Sequence, residues 1–384
     1  MKALVTVILL IIAASVAAAI IVMRPAPMPA VTPVDWAKYQ RGPTDDVRVY
    51  WVGHSLLNHR DRLIEDSLNA MDTVQFLAKS AGLKYDSFDH THFGAPLSLL
   101  WNGRPHSYTW EVPKMRERRT ELEKNGDAYN ALVMTEGIPV HRTIDRVEFS
   151  AFYAQTFYCT LVKSNPNARV YVYESWNSYQ ALDRKSDYGP YHLWNWRQRL
   201  DDDRPHWERV ADLATTGEVP GPGIQATINR LLGLGRPQAC EPAQPIFLVP
   251  VGTVMARLYD ELQKPDAGTR WTLQPGVPFR PLHLFQNPYA EWPKGWPLEA
   301  SAPAPDNPEN IVKALKRLHP GEEIDDVHPS QIGVYIVALT HYAVLYRRTP
   351  VGLATVDGIS EELAQNLQTL VWDIVKQDPR TGVK

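Results

Sequence analysis

Short apolar runs rich in β-branched and aromatic residues recur along the chain, and between them the apolar positions shift to a spacing of three and four. Five runs read as strands: Val47–Val52, Leu83–Phe88, Ala131–Thr135, Arg169–Tyr173 and Ile246–Val251. Met71, Val74, Leu77, Ala78 and Ala81 fall on one helical face, which Gly82 closes as a C-cap. Ile224, Ile228, Leu231 and Leu232 repeat that spacing, as do Val254, Leu258 and Leu262. Further on, Asn307-Pro308 opens a helix, a second runs from Ser330 to Tyr346, and Leu363, Leu367, Leu370 and Ile374 stripe a third. Strands alternating with helices imply an α/β protein whose mostly parallel sheet is covered on both faces. The continuous apolar run Ile246-Phe247-Leu248-Val249 suits that burial.

Two connections exceed ordinary length, at about 176–216 and 264–309, and both are crowded with aromatic side chains. Connections of that kind often serve as binding loops or lids. At the other extreme, residues 3–23 are apolar without a break, followed by Arg24 and a proline-rich stretch. About 20 apolar residues can cross a membrane, so residues 1–30 read either as a signal peptide or as an anchor. Both imply export, to the periplasm or exterior. Residues 31–45 then form a linker, and 46–384 one domain.

Composition narrows the picture. The chain has 384 residues, 44% of them hydrophobic, which excludes a disordered polymer. Its 40 Lys+Arg against 43 Asp+Glu give a net charge of −3, which argues against a nucleic-acid binder. Two cysteines, Cys159 and Cys240, are too few for a disulfide framework, although they are free to pair in an exported protein.

Candidate chemistry sits at both ends of the domain. Gly53-His54-Ser55-Leu56 follows the first strand, where ligands bind in open α/β sheets. The glycine permits a tight turn that exposes the Ser55 hydroxyl and its neighbouring N–H groups. Serine needs a base before it becomes a nucleophile. Asp325-Asp326-Val327-His328-Pro329-Ser330 supplies one: Asp325 is three residues before His328, so a single turn brings its carboxylate to the ring. Ser330 N-caps the apolar helix that follows and holds the loop rigid.

Together these segments resemble the SGNH/GDSL hydrolase family, with Ser55 in the first block and Asp325-x-x-His328 in the last. The resemblance covers roughly residues 46–346. It implies a flavodoxin-like three-layer fold with a mostly parallel five-stranded sheet and long inserted loops, and a Ser55–His328–Asp325 triad that needs no metal or organic cofactor. It also implies an oxyanion hole formed by the N–H groups of Ser55 and Gly94, the latter in His92-Phe93-Gly94. The third block departs from the pattern. Where the family carries an oxyanion-binding Asn, this chain has Glu136-Gly137, and a carboxylate would repel the developing charge. Asn58, Asn102 and Asn177 are candidate replacements. Losing one such donor costs about 2.7–4 kcal/mol in comparable sites.

Asp89-His90-Thr91-His92 has a rival reading as a metal site, but no third ligand has evident spacing. The remaining substrate-binding candidates are His54, His92, Glu136 and four tryptophans suited to stacking on sugar faces: Trp194, Trp196, Trp292 and Trp296. The expectation is an exported serine esterase removing an acyl group, in the first instance acetyl, from an acylated polysaccharide or another envelope ester. Activity then rises with pH as His328 loses its proton. The alternatives are a polysaccharide O-acyltransferase using the same triad, and a glycan-binding protein with a relict site.

Overall fold

The computed structural model describes residues 31, 33–60, 67–103, 112–138, 147–177, 196–216, 219, 240, 244–286, 325 and 327–384. At its centre is a five-stranded, all-parallel sheet in the order β2-β1-β3-β4-β5. The strands are β1 (Asp46–Gly53), β2 (Lys84–Thr91), β3 (Ala131–Met134), β4 (Arg169–Tyr173) and β5 (Phe247–Val249). Each begins within one residue of its expected position. The fifth ends two residues early, because Pro250 caps the next helix.

Nine helices among the described residues surround the sheet: α1 (Ser55–Asn58, one turn), α2 (Ala70–Ser80), α3 (Leu97–Asn102), α4 (Val112–Asn125), α5 (Val147–Ser164), α6 (Trp196–Thr215), α7 (Val251–Leu262), α8 (Gln331–Tyr346) and α9 (Glu361–Gln377), besides a four-residue turn at Ala267–Arg270. Side chains alternate across each strand. Trp51, Val133, Tyr173 and Val249 join a core with α2, α7, α8 and α9. Tyr50, Val52, Leu132, Met134 and Val172 join the opposite core with α3 and α5. The fold is therefore α/β with three layers, of the flavodoxin type.

One reading of the sequence is corrected here, and one helix was not seen in it. The segment at about 176–216 is no continuous loop, since its second half is the 20-residue helix α6. Trp196, Leu200, Trp207, Val210, Ala211 and Ala214 recur at helical spacing and are all buried. The aromatic and charged content that suggested a loop instead marks the buried and exposed faces of an amphipathic helix. Helix α5 has a long apolar sequence without a strong one-sided stripe, which is why periodicity missed it. The helices expected around Ile224–Leu232 and at Asn307-Pro308 lie outside the described residues.

Among the described residues no helix is long and apolar enough to cross a membrane. The apolar segment 3–23 lies outside them. Cys159 of α5 is disulfide-bonded to Cys240, with 5.4 Å between Cα atoms across a sequence separation of 81. In the chain-entropy account a loop of that length confers about 4–5 kcal/mol.

The sheet order fixes where a site can form. From β1 the chain builds β2 on one side, and the remaining strands on the other, so a crevice opens beyond the carboxyl ends of β1 and β3.

Candidate active site

Strand β1 delivers the serine to this crevice. Gly53 is tight because of its neighbours: a Cβ there would lie 2.7 Å from Thr135 Cγ2 and 2.9 Å from Leu57 Cδ1. His54 is extended and caps α1, its Nδ1 accepting from Leu56 N at 3.4 Å. With Nδ1 accepting, Nε2 carries the proton and donates to the Glu136 carbonyl at 3.0 Å. Burial lowers the His54 pKa to about 4, and the charge of nearby His328 pushes the same way against the hydrogen bond to Glu136. His54 is thus a neutral, buried brace for the turn, with both ring nitrogens engaged by backbone. That places Ser55 as the first residue of α1.

His328 arrives from the other end of the chain. Its Nε2 lies 2.9 Å from Ser55 Oγ, across 273 residues of sequence. Its Nδ1 lies 2.7 Å from Asp325 Oδ2, while Asp325 Oδ1 accepts the backbone N–H of His328 at 2.9 Å and of Val327 at 3.3 Å. Burial opposes ionisation of Asp325, but the His328 ring and these amides outweigh it and hold the carboxyl below its ordinary pKa. Asp326 lies outside the described residues.

The loop bearing His328 is stitched down on both sides. Trp176, fully buried, donates from Nε1 to Val327 O at 2.9 Å, and Gln286 N donates to His328 O at 2.9 Å. Ser330 caps α8 by accepting from Gly333 N, and every residue of α8 except Ile332 is buried. A Cβ on Gly333 would lie 2.2 Å from Leu284 O, so only glycine admits this approach. Sequence reasoning found Ser330 but not Trp176 or Gln286, because nothing local marks a loop-pinning donor.

The second turn of the site lies beside the first. His92 N donates to Gly53 O at 2.9 Å, and Gly94 takes φ +66°, in the left-handed region that favours glycine. The N–H groups of Ser55 and Gly94 have no acceptor among the described residues. Phe93 is 51% exposed, and its ring lies 5.2 Å from that of His328. His59 packs edge-on against His328, with ring centroids 4.1 Å apart, and lies 6.1 Å from the ring of Phe93. Neither Phe93 nor His59 was singled out from sequence. Phe93 stood next to Gly94 and would have been found by asking what flanks the turn.

Several expected roles change. Glu136 is fully buried and presents no carboxylate to a substrate: Oε1 accepts from Leu97 N at 3.0 Å and Gly137 N at 2.8 Å. Burial pushes its pKa up to about 7 against the pull of those amides and of the Ser150 hydroxyl. Trp196 is a core residue, 2% exposed, donating from Nε1 to Asn177 O at 3.0 Å, and offers no face for stacking. Trp194, Trp292 and Trp296 lie outside the described residues. His92 is half-buried at the edge of the Gly94 turn.

The candidate oxyanion asparagines each commit an amide N–H elsewhere. Asn58 donates to Thr91 Oγ1 at 2.6 Å, Asn102 to the Tyr153 hydroxyl at 2.8 Å, and Asn177 to Asp203. The Asp89-His90-His92 cluster does not form a metal site either. His90 is buried against the Tyr50 hydroxyl, and Asp89 Oδ1 accepts from Thr91 at N and Oγ1. Among the described residues, the His, Cys, Asp and Glu side chains close enough to share an ion are His59, Asp325 and His328, and two of these are already bonded to each other.

No protein-family model matches the chain, and no curated protein matches it. Among solved structures it is similar to a crystal structure of a DUF4886 family protein from Bacteroides uniformis, at 12% identity and a TM-score of 0.38, covering 86% of this chain and 95% of that one. A likeness at that score carries neither fold nor function.

Proposed function

We propose that the protein is a serine carboxylic-ester hydrolase that removes an acyl group, in the first instance acetyl, from an envelope or extracellular polysaccharide. The observation that carries the reading is the pair of contacts made by His328, 2.9 Å to Ser55 Oγ and 2.7 Å to Asp325 Oδ2. In this mechanism Ser55 Oγ attacks the acyl carbonyl carbon while His328 Nε2 takes its proton, and Asp325 stabilises the resulting imidazolium. The oxyanion is bound by the N–H groups of Ser55 and Gly94. Collapse expels the sugar alkoxide, which takes the proton from His328. Water, deprotonated by the same nitrogen, then attacks the acyl-serine carbonyl; the bond to Ser55 Oγ breaks, His328 returns the proton to that oxygen, and the carboxylic acid leaves.

The sequence resemblance to SGNH/GDSL hydrolases supports the same chemistry from the order of the blocks. Phe93, exposed beside His328, supports a leaving group with an apolar face, as a sugar ring has. The Cys159–Cys240 bond supports an oxidising compartment, in agreement with an exported chain.

The test uses an aryl acetate and an acetylated polysaccharide. Ser55→Ala is expected to lower kcat by about 10⁴-fold or more while leaving thermal unfolding unchanged. Asp325→Asn, which imposes the wrong imidazole tautomer, is expected to cost about 10⁴-fold. A serine-directed phosphonate should attach at Ser55. Undiminished turnover by Ser55→Ala, or an adduct elsewhere, rejects the assignment.

A further inference from the structure

The proposed oxyanion hole draws its two N–H groups from turns on separate strands, so something must fix the distance between them. Glu136, just beyond the carboxyl end of β3, touches both turns. Its main-chain oxygen accepts the His54 Nε2–H at 3.0 Å, and His54 in turn caps the helix that begins at Ser55. Its side-chain Oε1 accepts Leu97 N at 3.0 Å, at the start of α3 and three residues after Gly94. The same oxygen accepts Gly137 N at 2.8 Å, which locks the side chain to its own backbone. No Lys or Arg pairs with this carboxyl group among the described residues, so it is held by backbone amides, with the Ser150 hydroxyl beside it, and not by a mobile cation.

We propose that Glu136 is a positioning residue that sets the separation of the two oxyanion-binding amides, holding the Ser55 turn through its carbonyl and the Gly94 turn through its carboxyl group. This rests on the hydrolase reading above. It assigns work to the position where the resembled family has an asparagine: instead of donating to the oxyanion, the side chain here accepts from the loop that does. The link from Glu136 to Leu97 shares no hydrogen bond with Ser55 Oγ or the His328 ring, so its loss affects the transition state, in which the oxyanion forms, more than substrate binding.

The experiment compares Glu136→Ala, Glu136→Asp and Glu136→Gln in the full chain. Alanine removes the acceptor and aspartate, one methylene short, withdraws it from Leu97, so both are expected to lower kcat by about 10²-fold with KM changed less than about threefold. Glutamine keeps an Oε1 able to accept both amides and is expected to recover kcat to within about fivefold of the parent. Should Glu136→Ala fail to fold, the Asp and Gln pair still decides. A Glu136→Gln variant as impaired as Glu136→Asp overturns the proposal, because the charge and not the acceptor geometry then matters. An aspartate variant with parental kcat overturns it as well. Phosphonate labelling of the parent separates the two levels: if Ser55 is not labelled, the hydrolase reading has failed; if it is labelled and these variants keep parental kcat, only the role of Glu136 has failed.

Discussion

Glu136 and Glu174 stand at the ends of neighbouring strands, β3 and β4, and both are fully buried, yet they are held in opposite ways. Glu136 is held by backbone amides of its own and an adjacent turn. Glu174 is held by a cation: Arg204 of α6 donates from Nη1 to Glu174 Oε2 at 2.8 Å, from Nη2 to Asp378 Oδ2 at 2.6 Å and from Nε to Glu208 Oε1 at 2.8 Å. Thr253 adds a bond to Glu174, and Gly252 has no room for a side chain, since a Cβ would lie 2.9 Å from Glu174 Oε1. Burial is the largest influence on both carboxyl groups and raises each to about 7, although Arg204 pulls Glu174 downward. The difference is one of reach. A carboxyl group bound to amides shapes the loops beside it, which suits a site. One bound to a guanidinium ties α6, β4 and the end of α9 together, which suits a scaffold.

The sharpest way to break this contrast is to remove the cation. Arg204→Ala leaves Glu174 and Asp378 without their partner and is expected to cost about 3–5 kcal/mol in urea unfolding, with the folded fraction keeping its kcat. A stable variant with impaired kcat would make Arg204 part of the site and erase the distinction.

Acidity tests the same two carboxyl groups against three buried histidines. Burial is the main cause that lowers His54 and His341 to about 4 and His90 to about 3, from an ordinary 6.5. Below pH 6.5 the unfolded chain binds protons that the folded one refuses, so each histidine subtracts stability as pH falls toward those values, by roughly 3–5 kcal/mol apiece at the limit. Glu136 and Glu174 act in reverse. Their folded pKa is raised from 4.5 to about 7, so their contribution is full below 4.5 and is lost as pH rises through 7. The expected outcome is greatest stability near pH 6.5, with a steep decline below 4.5, where the two glutamates no longer offset the histidines and Asp325 adds to the loss; the urea midpoint against pH measures it. His54→Gln should flatten the acid limb, and an unchanged limb would show that His54 does not titrate as described.

The smallest expected effect concerns Phe93. Phe93→Ala should raise KM for an acetylated polysaccharide by about fivefold, equivalent to about 1 kcal/mol, and barely alter KM for a small aryl acetate. Equal effects on both substrates would make the ring a support for His328 and not a contact for the sugar.

Much of this architecture was legible in the residues. The strand starts were readable because fully buried parallel strands are short apolar runs, and α2, α7, α8 and α9 because their stripes or caps are strong. Helix α6 was misread because its buried positions include Arg199 and Asp203, polar residues that break an apolar stripe although the period is helical. Trp196 was misread for a related reason: aromatic residues in a charged neighbourhood look like loop contacts until packing reveals Phe285 and Tyr259 beside the ring.

Local chemistry dictated what is local: the cap at Ser330, the left-handed turn at Gly94, and the three-residue reach from Asp325 to His328. Whether the imidazole would meet the Ser55 hydroxyl was a matter of chain topology, decided by a sheet that carries both ends of the domain to one crevice. The role of Glu136 also waited on the tertiary structure. A carboxyl group in sequence is only a charge, and whether it faces substrate or the N–H groups of a neighbouring turn depends on burial, which makes unpaired exposure to the interior costly and drives it to the nearest donors.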